Sequence, residues 1–261
     1  MNFSSKNNIV LYSILVLLAS ALICFISYQL DNVNISILTV LSPSIIAFLI
    51  TLFTEGKSGL RKLFIKPTTR KIHWKWLLIS FGTIPVLASL SMLINTGFNI
   101  SQFSLRTTQL MPQLIIIIVI ALGEEYGWRA YLLPRVMKRF GVLNAGVIVG
   151  LIWGIWHYPA YLIGTGTPLE MSFAFFMVWV VIGSVFMTWL YYKTSSVLTA
   201  ILFHIGANAS FNYLRILPEF TGRMTDFYVV TGLLFVIITV LFFNTKYSSL
   251  GKKKGQLEMQ S

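Results

Sequence analysis

Eight long apolar runs, separated by short polar connections, follow one another along the chain, at 9–30, 35–53, 73–94, 111–133, 145–163, 171–192, 196–214 and 226–245. A helix rises 1.5 Å per residue, so about 20 apolar residues cross the hydrocarbon layer of a bilayer. The pattern predicts an all-α fold, a polytopic membrane bundle of about eight transmembrane helices. No internal repeat, low-complexity tract or long linker interrupts it. Three stretches are distinguished within this one helical body: N-terminal helices with a basic loop (1–108), a central core (109–214), and a last helix with a basic tail (215–261).

Composition agrees with the membrane reading. Of the 261 residues, 56% are hydrophobic and 11% charged, and the mean hydropathy is +0.77. A soluble domain carries about 25% charged residues, so this chain could not cover a water-facing surface. The first run follows a single basic residue, Lys6, and no small-residue cleavage site ends it. It is therefore expected to be a retained span and not a signal peptide. The lone Cys24 sits inside that run, which leaves no disulfide framework and reads as a packed apolar residue.

The formal net charge is +12. Its distribution excludes nucleic acid as the partner, because the basic residues gather in connections where they meet anionic lipid headgroups. Lys57, Arg61, Lys62, Lys66, Arg70, Lys71 and Lys75 lie between the second and third runs. Arg135, Lys138 and Arg139 follow the fourth, Lys193 the sixth, and Lys246 and Lys252 to Lys254 the eighth. The alternate connections are poor in such charge, with Asp31, Arg106 and Glu170, and with Arg215 and Arg223 offset by Glu219 and Asp226. The positive-inside rule then predicts a multi-pass plasma-membrane protein, of bacterial type, with both termini in the cytoplasm. The stretch 57–66 mixes basic and apolar residues and is expected as a short interfacial helix. His73, Trp74 and Trp76 read as an aromatic belt at the start of the third span.

Three spans carry polar groups that lipid does not tolerate without reason. The fourth contains Glu124, Glu125 and Arg129, a combined penalty of about 8–10 kcal/mol before pairing. Glu125 and Arg129 are four apart, share a helix face and are expected to form an internal ion pair. Glu124 points elsewhere and needs a partner from another helix. The fifth span offers His157 beside Pro159, and the seventh offers His204 and Asn208, again four apart, with small Gly206 and Ala207 between them. Counted along their helices, these groups are expected in one layer in the cytoplasmic half of the bilayer.

Such a set can activate water. Glu124 would act as the general base, an imidazole would share the proton, and another imidazole with an amide would stabilise an oxyanion. Alternatively, Glu124, His157 and His204 would ligate zinc and leave one position for water. The spacing is not the His-Glu-x-x-His of soluble zinc proteases, which favours water activation over metal binding. Asn212 continues the face of Asn208 and reads as structural.

At these residues the chain resembles the CPBP family, the CAAX-protease and bacteriocin-processing (Abi) membrane endopeptidases. The family's Glu-Glu-x-x-x-Arg motif is matched by Glu124, Glu125 and Arg129. Its aromatic-and-His motif is matched by Trp153 and His157, with Trp where Phe is usual, and its His-x-x-x-Asn motif by His204 and Asn208. The likeness covers roughly residues 110 to 210. It implies an intramembrane endopeptidase in which Glu124 is the catalytic carboxylate assisted by His157. His204 and Asn208 would stabilise the oxyanion or complete a metal site, while Glu125 and Arg129 would support the architecture. The implied substrates are peptides or membrane proteins, with membrane lipids around them, and the implied biology includes bacteriocin self-immunity or peptide maturation. A non-catalytic immunity or scaffolding protein, binding a bacteriocin or a signalling partner, is the competing expectation.

Overall fold

The protein is described here by a computed structural model covering residues 5–100, 105, 110–214 and 216–243. Arg106, Arg215 and the basic tail from Lys246 onward lie outside the described residues. Eight helices are long and apolar enough to cross a membrane, and no strand occurs among the described residues. In chain order the helices are α1 (Ser5–Gln29), α2 (Ser42–Leu60), α3 (Trp74–Asn95), α4 (Leu110–Glu125), α5 (Leu133–Phe140), α6 (Val142–Leu162), α7 (Phe173–Thr194), α8 (Val197–Tyr213), the short α9 (Pro218–Thr221) and α10 (Thr225–Phe243).

Three irregular stretches depart from a simple row of α-helices. A 3-10 run, Val33–Leu41, leads into α2. There Ser36 and Thr39 return their hydroxyls to the carbonyls of Val33 and Ser36, and Pro43, which has no N–H to donate, opens the new helix. Between α4 and α5 the backbone widens into a π-helix, Tyr126–Leu132, so the fourth span runs unbroken to Phe140. Single π turns inside helices gather at functional sites. Past Gly56 (φ 63°), where the chain breaks out of helical geometry, residues 57–65 form the expected short basic helix. It buries Leu63 and exposes Arg61 and Lys62.

Small residues let the core helices touch. Gly146, Gly150 and Gly154 repeat every fourth residue along α6 and face α7. Ser184 of α7 donates to the Gly146 carbonyl (2.9 Å), and a Cβ on Gly150 would come within 2.9 Å of the Val181 Cα. In a bilayer, where lipid tails are as apolar as leucine, such close backbone approach is a main source of helix association. Gly206 does the same for α8 against α3, where an added Cβ would run into the Phe81 carbonyl. Gly206→Ala is accordingly expected to cost about 1–3 kcal/mol by overpacking. A lowered melting temperature of the detergent-solubilised protein is the readout, with Gly232→Ala, where a Cβ meets open space, as the neutral control.

Hydrogen bonds between connections define two faces. On one, Ser196 donates to the Pro67 carbonyl (2.7 Å), Arg135 pairs with Glu55 (3.1 Å) and Thr68 meets Tyr126 (2.8 Å). On the other, Ser36 meets Thr165 (2.8 Å), Tyr213 donates to the Leu110 carbonyl (2.7 Å), and Asn95 donates to Asp226 (2.7 Å). Apart from buried Arg129, every Lys and Arg with a described side chain belongs to the first face except Arg223. The clustering expected from the sequence is thus a real basic face.

Candidate active site

The three polar-bearing spans meet. Glu124 lies at the end of α4, where the π turn begins, and is 2% exposed. Its missing partner is Trp153 of α6, whose indole Nε1 donates to Glu124 Oε2 at 2.7 Å. A buried indole N–H needs an acceptor, and a buried carboxylate needs donors. The one contact serves both, and it leaves Oε1 of Glu124 without a protein partner among the described residues.

Glu125, fully buried, accepts from two sides. Arg129 reaches it at 3.1 Å, as its spacing predicts, and His204 Nδ1 of α8 donates to its Oε1 at 2.8 Å. The sequence reading saw the first partner and not the second. Arg129 itself is fully buried, with its guanidinium 4.3 Å over the Trp153 ring and one amine donating to the Met187 sulfur (3.2 Å). The planar cation is thus stacked as well as paired, an arrangement lysine could not reproduce.

His157, one turn beyond Trp153, holds its Nδ1 2.8 Å from the Trp153 carbonyl. A carbonyl oxygen only accepts, so Nδ1 carries the proton and the neutral ring presents Nε2 as an acceptor. Trp156 and Phe176 pack edge-on against the imidazole, with centroids at 4.6 and 5.0 Å, and fix its plane. The Trp153 ring stands between the two histidines, 5.8 Å from His157 and 5.7 Å from His204. Asn208 lies one turn beyond His204. Its backbone carbonyl is taken by Asn212 (2.8 Å), in keeping with a structural Asn212, while its own carboxamide has no hydrogen-bond partner among the described residues.

Glu124, His157, His204 and Asn208 all line one cavity of about 760 Å³. Its volume falls within the roughly 300–1,000 Å³ of small-molecule and cofactor sites. The position of His157 along its helix differs from the sequence count. Helix α6 starts at Val142, three residues early, so His157 lies about 22 Å along it and only about 8 Å from its far end. The residues are gathered around the cavity by contacts between side chains of α4, α6 and α8.

A zinc ion would draw on Glu124, His157 and His204. Both histidines have Nδ1 tied to an oxygen, the second-shell pattern of metal ligands. Yet no three His, Cys, Asp or Glu side chains among the described residues converge as a ligand set, and one Glu124 oxygen is engaged by Trp153. The arrangement does not fit a three-ligand zinc site, and no step is routed through a metal below.

Trp153 is the site residue whose role the sequence reading missed. Its signal was available, since a tryptophan inside a bilayer carries an N–H that gains from an acceptor. An uncommon Trp in an aromatic-and-His motif, one helix away from an unpaired Glu, points to such a bond.

Known proteins resemble the chain in this region. Residues 106–210 match the family model described as type II CAAX prenyl endopeptidase, Rce1-like. The chain is 25% identical over 242 residues to CAAX prenyl protease 2 of Methanococcus maripaludis, covering 85% of this chain and 87% of that one. It is 26% identical over 153 residues to lysostaphin resistance protein A of Staphylococcus haemolyticus, covering 54% of this chain and 39% of the relative. The matched segment contains every residue of the buried constellation, and through this core the chain is similar to the Rce1-like CAAX prenyl endopeptidases.

Proposed function

We propose that this chain is an intramembrane endopeptidase that cleaves a peptide or membrane-protein substrate with water activated by Glu124. The observation that carries the reading is the state of Glu124: buried, held through one oxygen by Trp153, with its other oxygen free on a cavity shared with two histidines. A water there would give its proton to Glu124 while His157 Nε2 accepts its second hydrogen bond, which aims the oxygen lone pair at a carbonyl. Asn208, through its carboxamide, and His204, when its Nε2 is protonated as well as the Nδ1 held by Glu125, supply donors to the oxygen that becomes negative in the tetrahedral intermediate. The proton held by Glu124 then passes to the leaving amine. Glu125 and Arg129 act through His204 and the Trp153 ring and are positioning residues.

Comparing peptides from cells carrying wild-type protein with those from cells carrying Glu124→Ala tests the reading. A set of peptides present only with wild type supports it, and identical peptidomes would count against it. The similarity to a lysostaphin resistance protein favours a second reading, a non-catalytic membrane immunity or scaffolding protein. On that reading the cellular phenotype survives Glu124→Ala.

A narrower expectation concerns Trp153→Phe, which keeps the ring and removes the indole N–H. A hydrogen bond to a charged group is worth about 1.5–3 kcal/mol. Processing is expected to fall about 10- to 100-fold, mainly in kcat, with little change in melting temperature. A KM effect alone would assign Trp153 to substrate binding instead.

A further inference from the structure

The cavity is lopsided. Its deep wall holds the catalytic constellation, and its rim is made by Asn34, Gly166, Thr167 and Glu219, all from connections on the face opposite the basic one. Toward the basic face it ends at Met187 and Phe203, and behind them buried Trp189, Leu190, Val197 and Ala200 close the floor. No Lys or Arg lines it. The rim is ordered by the Ser36–Thr165 bond and by Gly166, whose positive φ of 72° and contact with Ala160 suit it to no larger residue.

The opposite face carries Lys57, Arg61, Lys62, Lys66, Arg70, Lys71 and Lys75, with Arg135, Lys138, Arg139 and Lys193 beside them. Each such residue gains about 1 kcal/mol near an anionic cytoplasmic leaflet, so their sum commits that face to the cytoplasm. From this charge asymmetry and the direction of the cavity we infer that the site opens to the extracytoplasmic side, and that its substrate is a peptide segment presented there. An exported peptide, or the outer end of a membrane-spanning one, fits this access and a cytoplasmic protein tail does not. The inference takes its chemistry from the proposed hydrolysis and its sidedness from charge and shape alone. One side of the rim is apolar and open to lipid, since Val33, Ile37 and Ile116 line the cavity while 54%, 47% and 50% exposed. An apolar flank of the substrate can therefore rest in the outer leaflet while the cleaved bond reaches Glu124.

Two measurements separate this from the proposed function. Single cysteines at the rim (Asn34→Cys, Thr167→Cys) and on the basic face (Lys71→Cys, Lys138→Cys), in a Cys24→Ser chain, are exposed in intact cells to a membrane-impermeant sulfonated maleimide. Labelling of the rim positions in intact cells, with the basic-face positions labelled only after permeabilisation, is expected, and the reverse pattern overturns the inference. Sealed membrane vesicles of both orientations are then given a pool of water-soluble fluorogenic peptides. Cleavage by right-side-out but not inverted vesicles, lost in Glu124→Gln, is expected. Cleavage confined to inverted vesicles overturns the sidedness and leaves the protease standing. Rim labelling as expected, with no cleavage in either orientation or in detergent, leaves the sidedness standing and tells against the proposed hydrolysis.

Discussion

Glu124→Gln is expected to lower substrate processing by about 10²- to 10⁴-fold, the range general-base catalysis contributes, while the protein still inserts and folds. The replacement is nearly isosteric, and the amide oxygen can still accept from Trp153 Nε1, so the 2.7 Å contact that orients the side chain survives. What is lost is the ability to take a proton from water. Glu124→Asp separates position from chemistry, because it keeps the carboxylate but withdraws it by one methylene, from both the indole and the cavity. Its activity should also fall steeply, since the reacting atoms must lie within hydrogen-bond reach. Near-wild-type processing by the Gln variant, in a preparation of unchanged melting temperature, would remove Glu124 from the chemistry.

The second large effect is on stability. Arg129 and Glu125 are both fully buried, and removing one partner of a buried pair costs about 3–5 kcal/mol because it strands the other charge. Glu125→Ala would leave the guanidinium with only the Met187 sulfur and the face of Trp153, and would release His204 Nδ1 as well. The expected result is a large drop in melting temperature and in folded yield. Arg129→Met alone should be comparably harmful, whereas Glu125→Gln combined with Arg129→Met should recover much of the loss, since neither charge is then left stranded. A thermal-melting cycle over the wild type, Glu125→Gln, Arg129→Met and the double variant reads the coupling directly. Surface Arg135→Ala, which breaks a half-exposed pair with Glu55, supplies the small reference effect. If the single changes shift melting no more than Arg135→Ala does, the buried pair is not holding the core.

The eight spans were legible because a bilayer sets helix length, and each run is long enough to meet it. Membership of the site was legible for a related reason, since Glu124, His157, His204 and Asn208 are costly in lipid and so stand out against apolar neighbours. Rotation about the helix axes was not legible. A helix apolar on both its lipid face and its packed face shows no stripe to say which way it turns. The two contacts that depend on rotation, Trp153 with Glu124 and His204 with Glu125, could therefore not be read from spacing. Glu125 and Arg129 could, because an i, i+4 pair needs one helix only. The 3-10 run at 33–41 and the π turn at 126–132 escaped for a further reason: each answers to neighbours distant in sequence. Gly127 of that turn lies against Pro43 and Tyr12.

The glycine ridge of α6 gives the cavity walls of unequal stiffness. Where backbones touch across Gly146 and Gly150 there is no slack to redistribute, so that side behaves as an anvil. The facing wall is built differently, from the 3-10 segment 33–41, which meets the α6–α7 connection through side chains and not through touching backbones. Adaptation to a differently shaped guest therefore falls to residues 33–41 and 165–168. Exchanging those two short segments between relatives is the economical way to retarget the chemistry without disturbing it.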